Sequence, residues 1–267
     1  MKSCLHIDIS LREHRSILKT VYATTPYKLA DITENKKAGA LELMIMSSSP
    51  GILDGDEHEL RVNLQAGTIV NLHTQSYQRL FNMKQSASLA LTVKMEPNSI
   101  LSFIPHPIVP HKSSSFTVNN KIYVGKNCTL LFSEILTCGR NLNGEIFSFT
   151  KYHNLTEIYL DDKLVIKENI RLEPGTINFG AIGQLEGFTH QASLVYLRED
   201  LDIPYTNKLL TDLLEKEEGI LFGVTEAPVS GLFCRLLGYK AEQLYKCIKT
   251  IADVLAPTHF IKKGVLC

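Results

Sequence analysis

Four carboxylates fall within six residues of one another, Asp54, Asp56, Glu57 and Glu59, directly after a Ser49-Pro50-Gly51 turn. Carboxylate oxygens are hard ligands for divalent cations and also serve as general acids and bases. On a strand starting at Asp56, this residue and Glu59 point to opposite faces, so the two converge only across a turn. A solvated turn closed by an Asp side chain is the alternative reading of the cluster. Further on, Pro105-His106-Pro107-Ile108-Val109-Pro110-His111 is an extended, proline-bound segment presenting two imidazoles. Imidazole suits nickel, zinc or copper, but five residues of extended chain hold the rings too far apart for one ion. His106 and His111 are therefore lesser metal candidates, with unshared surface-loop histidines as the competing reading. Cys4 and His6, on one face of a strand, are a third and similarly modest metal pair. Finally, Glu134 interrupts the apolar run Leu130 to Leu136 and is followed by Gly139-Arg140 and Glu145. A single buried charge is costly, so this pattern predicts a buried Glu and Arg pair, either structural or functional.

These residues have to be positioned by strands. Leu60, Val62 and Leu64 alternate with Arg61, Asn63 and Gln65, the period of a half-buried strand, and after Ala66-Gly67 the run Ile69 to Gln75 returns. The acidic turn and the Thr74-Gln75 end thus belong to one predicted antiparallel hairpin. Similar strand, turn, strand units recur: Cys4 to Ile9 with Ser16 to Ala23, Leu41 to Met46 after the polar stretch Asn35 to Gly39, and Ser88 to Lys94 with Ile100 to Ile104. Phe116 to Val118 and Ile122 to Val124 flank a predicted Asn119-Asn120 turn, Thr129 to Phe132 follows, and Leu155 to Lys167 folds about Asp161-Asp162. Turns centred near Gly67, Asn98, Asn127 and Asp161 lie 31, 29 and 34 residues apart, a quasi-repeat of the kind formed by stacked β units. After the strand Ala192 to Leu197 the grammar changes. Leu201 to Glu218 has Pro204 near its start, leucines at helical spacing and Gly219 at its end, and Gly238 to Ala256 is a second amphipathic helix stopped by Pro257. With no Gly, Ser or Pro-rich linker, residues 1–267 read as one domain, a β body to about residue 200 and a helix-containing part over about 201–267.

Composition excludes several functions. Lys plus Arg equals Asp plus Glu at 28 each, which lacks the basic field that nucleic acid or an anionic membrane surface would attract. The opening MKSCLHIDISLREHRS has no unbroken apolar core, so no secretory signal is expected, nor any membrane span. The six cysteines lack a C-x-x-C pair and read as reduced, mostly buried thiols of a cytoplasmic protein. The phosphate-binding, dinucleotide, zinc-protease and nucleophile-elbow motifs are all missing.

Taken in order, five motifs resemble the urease accessory proteins of the UreD/UreH family. They are Ser49-Pro50-Gly51 with Gly55-Asp56; Thr74-Gln75; Phe103-Ile104-Pro105 with Pro107-Ile108-Val109-Pro110; Ser133-Glu134 with Gly139-Arg140 and Glu145-Ile146-Phe147; and Gly187-Phe188-Thr189-His190. The resemblance spans roughly residues 15 to 260 and implies a mostly-β, stacked β-helical or solenoid-like fold with two α-helices near the C-terminus. It implies a non-enzymatic nickel chaperone scaffold. Such a protein binds a UreF-type accessory protein, through it a UreG-type GTPase, and docks on apo-urease. No permanent cofactor is implied; a transient nickel ion passes along an internal polar route. By position, Asp56, Glu59, Glu134 and Glu145 would touch the ion, and Thr74, Gln75 and Arg140 would line the route. A conduit needs ligands that release their cargo, and single carboxylates suit this better than a closed Cys or His cage. Two positions depart from the family pattern: Ile52 stands where many relatives have glycine, and His111 where many have phenylalanine. The competing function is a β-solenoid carbohydrate-active enzyme with paired carboxylates, disfavoured by the absence of tryptophan. A plain interaction module without a metal role is the third reading.

Overall fold

The computed structural model describes residues 1–35 and 39–255. Its strands run back and forth between two facing sheets. The chain begins in sheet A with β1 (Lys2–Arg12) and β2 (Arg15–Ala23), then enters sheet B with β3 (Tyr27–Asp31) and β4 (Leu41–Ser47). From there the path repeats. β5 (Glu57–Leu64) lies in sheet A and β6 (Ile69–Thr74) in sheet B, and the short β7 (Gln78–Leu80) lies on the way back. β8 (Ala87–Met95), β9 (Ile100–Ile104) and the short β10 (Ile108–Pro110) make the next turn; β11 (Ser115–Val124) and β12 (Thr129–Thr137) make the one after. β13 (Lys151–Leu160) returns to sheet A. Within each sheet the successive turns pair in parallel, β1-β5-β8-β11-β13 in one and β4-β6-β9-β12 in the other. The mostly-β stacked architecture read from the sequence is the one observed.

The stack explains the quasi-repeat. Gly67, Asn98 and Asn127 all adopt positive φ at the same corner, and each is followed by a buried Thr68, Ser99 or Cys128. Backbone bonds step from one corner to the next: Gly67 N–H donates to the Pro97 carbonyl and Asn98 N–H to the Lys126 carbonyl. The fourth turn, at Asp161, also has positive φ, but β14 (Lys163–Leu172) then folds back antiparallel on β13 instead of crossing over.

Three predicted turns need correction. β5 and β6 are not a hairpin, and neither are β8 and β9. Each pair is joined by a tight corner, yet its members lie in opposite sheets and bond sideways to strands about thirty residues away. The cause is that both members carry an apolar face, Leu60, Val62 and Leu64 on one and Val70 and Leu72 on the other. Facing each other across the interior lets the two apolar faces cover one another, whereas as a hairpin they would lie on one side of a single sheet and need another layer to cover them. The predicted Asn119-Asn120 turn is also absent: β11 runs straight through, and Asn120 is buried.

Antiparallel strands and helices close one end. β15 (His190–Arg198) pairs with β12; after α1 (Ile203–Leu214) come β16 (Leu221–Glu226) and β17 (Gly231–Gly238), which extend sheet B, and α2 (Ala241–Leu255) follows. Asp202 caps α1 by accepting from Tyr205 N–H at 3.0 Å, with Pro204 in the first turn where no N–H is needed. Leu244, Cys247, Ile248 and Ile251 of α2 pack on Leu131, Ile135, Ala192 and Leu194, the outer face of sheet B. The predicted Pro257 stop, Cys267 and part of the polar stretch Asn35 to Gly39 lie outside the described residues.

Candidate functional site

The connections that return from sheet B to sheet A are stacked like the strands, and four of the five sequence motifs lie on them. Ser49-Pro50-Gly51 follows β4, Thr74-Gln75 ends β6, Pro105-His106-Pro107 follows β9, and Gly139-Arg140 follows β12. Neighbouring connections hydrogen-bond through their backbones: Ile52 N–H donates to the Arg79 carbonyl at 2.8 Å and Gln78 N–H to the Pro107 carbonyl at 3.0 Å. Close approach dictates the glycines. A Cβ on Gly51 would run into the Arg79 carbonyl and come within 2.9 Å of the Phe81 ring. Gly139, at φ +118°, would place one 2.7 Å from the Pro110 oxygen. Ile52 is buried and bridges to Leu80, so its side chain serves the core.

Behind these loops a cavity of about 140 Å³ runs between the sheets. Thr74, Gln75, His106 and Glu134 line it, together with Tyr27, His58 and Asn120. On β12 the residues Leu130, Phe132 and Leu136 turn inward, and Glu134 shares their phase. Facing it on sheet A are three polar side chains at inward positions. Asn120 Nδ2 donates to Glu134 Oε1 at 3.0 Å, Asn154 Nδ2 to Oε2 at 2.7 Å and the Thr156 hydroxyl to Oε2 at 3.2 Å. Burial pushes the Glu134 carboxyl up to about 7, with Glu168 adding to the rise and the amide and hydroxyl donors opposing it.

The predicted Glu and Arg pair forms, but between Arg140 and Glu145 near the surface and not at Glu134. Arg140 lies on the far side of the connection and holds Glu145 through two hydrogen bonds, one from Nε at 2.9 Å, while Lys112 N–H also donates to Glu145. The Arg140 bonds keep Glu145 down to about 2. His111 joins this group in a separate surface pocket with Phe81 and Asn82, its ring edge-on to Phe81 at 4.9 Å. His106 and His111 thus face different pockets, as their spacing requires. Glu59 points outward on β5 to His6, 3.0 Å away, and to Arg61, and does not line the cavity. Cys4 Sγ instead neighbours the Thr24 hydroxyl. Asp54 caps the Lys84 and Gln85 amides, as a turn carboxylate does, and Glu57 pairs with Lys2 at the surface.

Asp56 is buried next to the cavity rather than in its wall. Its Oδ2 accepts from Leu53 N–H at 2.9 Å and its Oδ1 lies 3.0 Å from the Met1 amine. Burial would raise its pKa, but these donors together outweigh that and hold it below the usual carboxylate range. His58, two residues on, lines the cavity with its Nε2 3.6 Å from Asp56 Oδ2, and burial lowers its pKa. At the outer mouth, the Thr74 hydroxyl accepts from His106 N–H at 2.8 Å, and the His106 ring stacks on Tyr245 of α2 at 4.6 Å. Tyr77 O–H donates to Glu242 beside it.

Glu134 also lines a second cavity, of about 480 Å³. There Arg235 of β17 donates to Glu168 of β14 at 2.8 Å, with Asn154, Gln191 and Ser193 nearby. His58, Asn120, Asn154, Thr156, Glu168 and Arg235 were missed in the sequence. A signal existed for Asn120: it falls in phase with Phe116, Val118, Ile122 and Val124, an inward polar residue on an apolar face. Asn154 and Thr156 repeat the pattern between Tyr152 and Ile158.

A family model described as UreD urease accessory protein matches residues 1–265. The chain belongs to the UreD family. Relatives named urease accessory protein UreD include that of Flavobacterium johnsoniae, 42% identical over 92% of this chain and 90% of its own. Those of Acetivibrio thermocellus, 32% identical over 95% and 97%, and of a Haemophilus influenzae strain, 33% identical over 96% and 99%, also match along nearly their whole length.

Proposed function

We propose that this chain is a non-enzymatic scaffold of urease maturation. It binds a UreF-type accessory protein and through it a UreG-type GTPase in the cytoplasm, docks on apo-urease, and passes a nickel ion between its two sheets. The observation that supports the route is Glu134, a carboxylate that lines both the cavity between the sheets and the second cavity beside Glu168 and Arg235. A cation entering near His106 and Thr74 meets hydroxyl and amide oxygens, then a carboxylate with no cation hydrogen-bonded or ion-paired to it among the described residues, then the Glu168 and Arg235 mouth. Such isolated oxygen donors hold a divalent ion without trapping it. The described residues contain no cluster of three His, Cys, Asp or Glu side chains arranged to cage a metal, and no helix long and apolar enough to cross a membrane. Within this reading Asp56 and Glu134 contact the ion, Thr74 and Gln75 shape the route, and Glu59, Arg140, Glu145 and His111 act outside the central cavity.

The test is co-expression with UreF-type and UreG-type proteins and urease, followed by copurification and urease assay. Glu134→Gln should leave the complex assembled and lower urease activation at least tenfold. Loss of the complex along with activity would make Glu134 structural and sink the route.

A further inference from the structure

Within the cavity the donors are almost all oxygens, with His58 and His106 the imidazoles of its lining. The two rings differ in their surroundings. His106 Nδ1 lies 3.1 Å from the Thr74 hydroxyl and its ring stacks on Tyr245, so the protein accounts for its orientation. His58 is 4% exposed, shares the inward phase of Leu60, Val62 and Leu64, and neither of its ring nitrogens has a hydrogen-bond partner among the described residues. An unpaired polar group at such a site costs about 1–3 kcal/mol, so a buried imidazole with no hydrogen bond at Nδ1 and only the Asp56 carboxylate, beyond hydrogen-bond distance, near Nε2 is an unusual thing for a fold to keep. The Tyr27 ring, edge-on at 5.4 Å, fixes its plane without bonding to it.

One distance gives the ring a purpose. His58 Nε2 lies 3.6 Å from Asp56 Oδ2. That exceeds a hydrogen bond, yet two donors that each sit about 2.1 Å from one first-row divalent ion can be up to about 4.2 Å apart. Asp56 is held in place from behind by the Leu53 amide, so the pair is preformed. We infer that His58 Nε2 and Asp56 Oδ2 form a two-donor station for a borderline divalent cation such as nickel, and that the imidazole selects it over magnesium or calcium. Resting on the route proposed above, this adds what the oxygens alone do not supply. Hydroxyl, amide and carboxylate oxygens accept hard cations readily, whereas a nitrogen donor favours nickel, copper and zinc. Two protein ligands, with water completing the shell, also leave the ion free to move on.

The experiment uses the full chain labelled with ¹⁵N-histidine, with Ni²⁺ and Mg²⁺ as probes. His58 is assigned by its nuclear Overhauser contact to the Tyr27 ring, so the assignment survives even if a His58→Asn variant fails to fold. Paramagnetic Ni²⁺ at substoichiometric amounts should broaden the His58 ring signals, and a hundredfold excess of Mg²⁺ should not restore them. Asp56→Asn should weaken that broadening about tenfold in Ni²⁺ concentration. Sharp His58 signals while other histidines broaden, restoration by Mg²⁺, or an unchanged titration in Asp56→Asn would each overturn the station. The route itself is judged separately by urease activation with Glu134→Gln: if that variant blocks activation while His58 stays sharp, the station alone is lost.

Discussion

Asn120 and Glu134 reach each other across the interior from opposite sheets, Nδ2 to Oε1 at 3.0 Å. The same Asn120 amide lies 3.1 Å from Asn154 Oδ1 and 2.9 Å from the Thr156 hydroxyl, so one side chain ties together a network that is otherwise surrounded by Val118, Ile122 and Ile158. The four polar residues share their hydrogen bonds, so the loss of one leaves the others short of a partner.

Replacing Asn120 with alanine removes a donor from a buried carboxylate. An unsatisfied group of this kind costs about 1–3 kcal/mol, more when it is charged. The expected result is a drop in thermal stability that is larger at pH 8, where Glu134 is ionised, than at pH 5, where it is protonated. Denaturation midpoints at the two pH values decide it; an equal drop at both would mean the amide acts through packing alone.

Glu134 itself should tilt the pH profile of stability. Its carboxyl titrates near 7 in the folded protein and near 4.5 in the unfolded chain. Between those values the folded state keeps a proton that the unfolded chain has released, so stability falls as pH rises from about 4.5 to about 7 and is level above. Glu134→Gln abolishes this term. Relative to the wild type, the variant should gain steadily over that window, by on the order of 3 kcal/mol at its upper end. Parallel urea titrations from pH 4.5 to pH 8 measure the difference, and curves that stay parallel would refute it.

Arg235 is 68% exposed while its partner Glu168 is only 9% exposed. Removing the guanidinium strands a nearly buried carboxylate whose pKa burial already raises. Arg235→Gln should cost roughly 1 kcal/mol, since solvent screens much of the pair. The loss should be complete where Glu168 is ionised and shrink as pH falls and Glu168 takes up a proton. High salt should narrow the gap between variant and wild type; a gap that salt does not touch would point to lost packing of the long side chain.

Gly51→Ala should be among the most damaging small substitutions. The added methyl meets the Arg79 carbonyl and the Phe81 ring, and both belong to the neighbouring connection of the stack. Overpacking at such a contact costs about 1–3 kcal/mol. Gly175→Ala, where a Cβ meets nothing within 4 Å, is the matched control and should change stability by less than about 0.5 kcal/mol. Comparable melting temperatures for the two variants would show that the connections can part freely.

Much of this was legible in the chain. Alternation marked the strands and their inward faces, the thirty-residue spacing of Gly67, Asn98 and Asn127 announced a stack, and Pro204 with Gly219 bracketed a helix seen at Ile203–Leu214. The family was readable from the order of short motifs. What the sequence did not determine was which strand lies beside which. Backbone hydrogen bonds carry no side-chain identity, so a tight corner such as Ala66-Gly67 serves a hairpin or a crossover equally well, and only burial of both apolar faces decides between them. The site depended on that decision. Arg140 stood between Glu134 and Glu145 as a partner for either, but Gly139 turns it outward to Glu145, while Asn120, Asn154 and Thr156 come to Glu134 from the opposite sheet. Sequence fixes the phase of each side chain along its strand; the packing of two sheets determines which side chains in that phase meet, because the contact is made across the core and not along the chain.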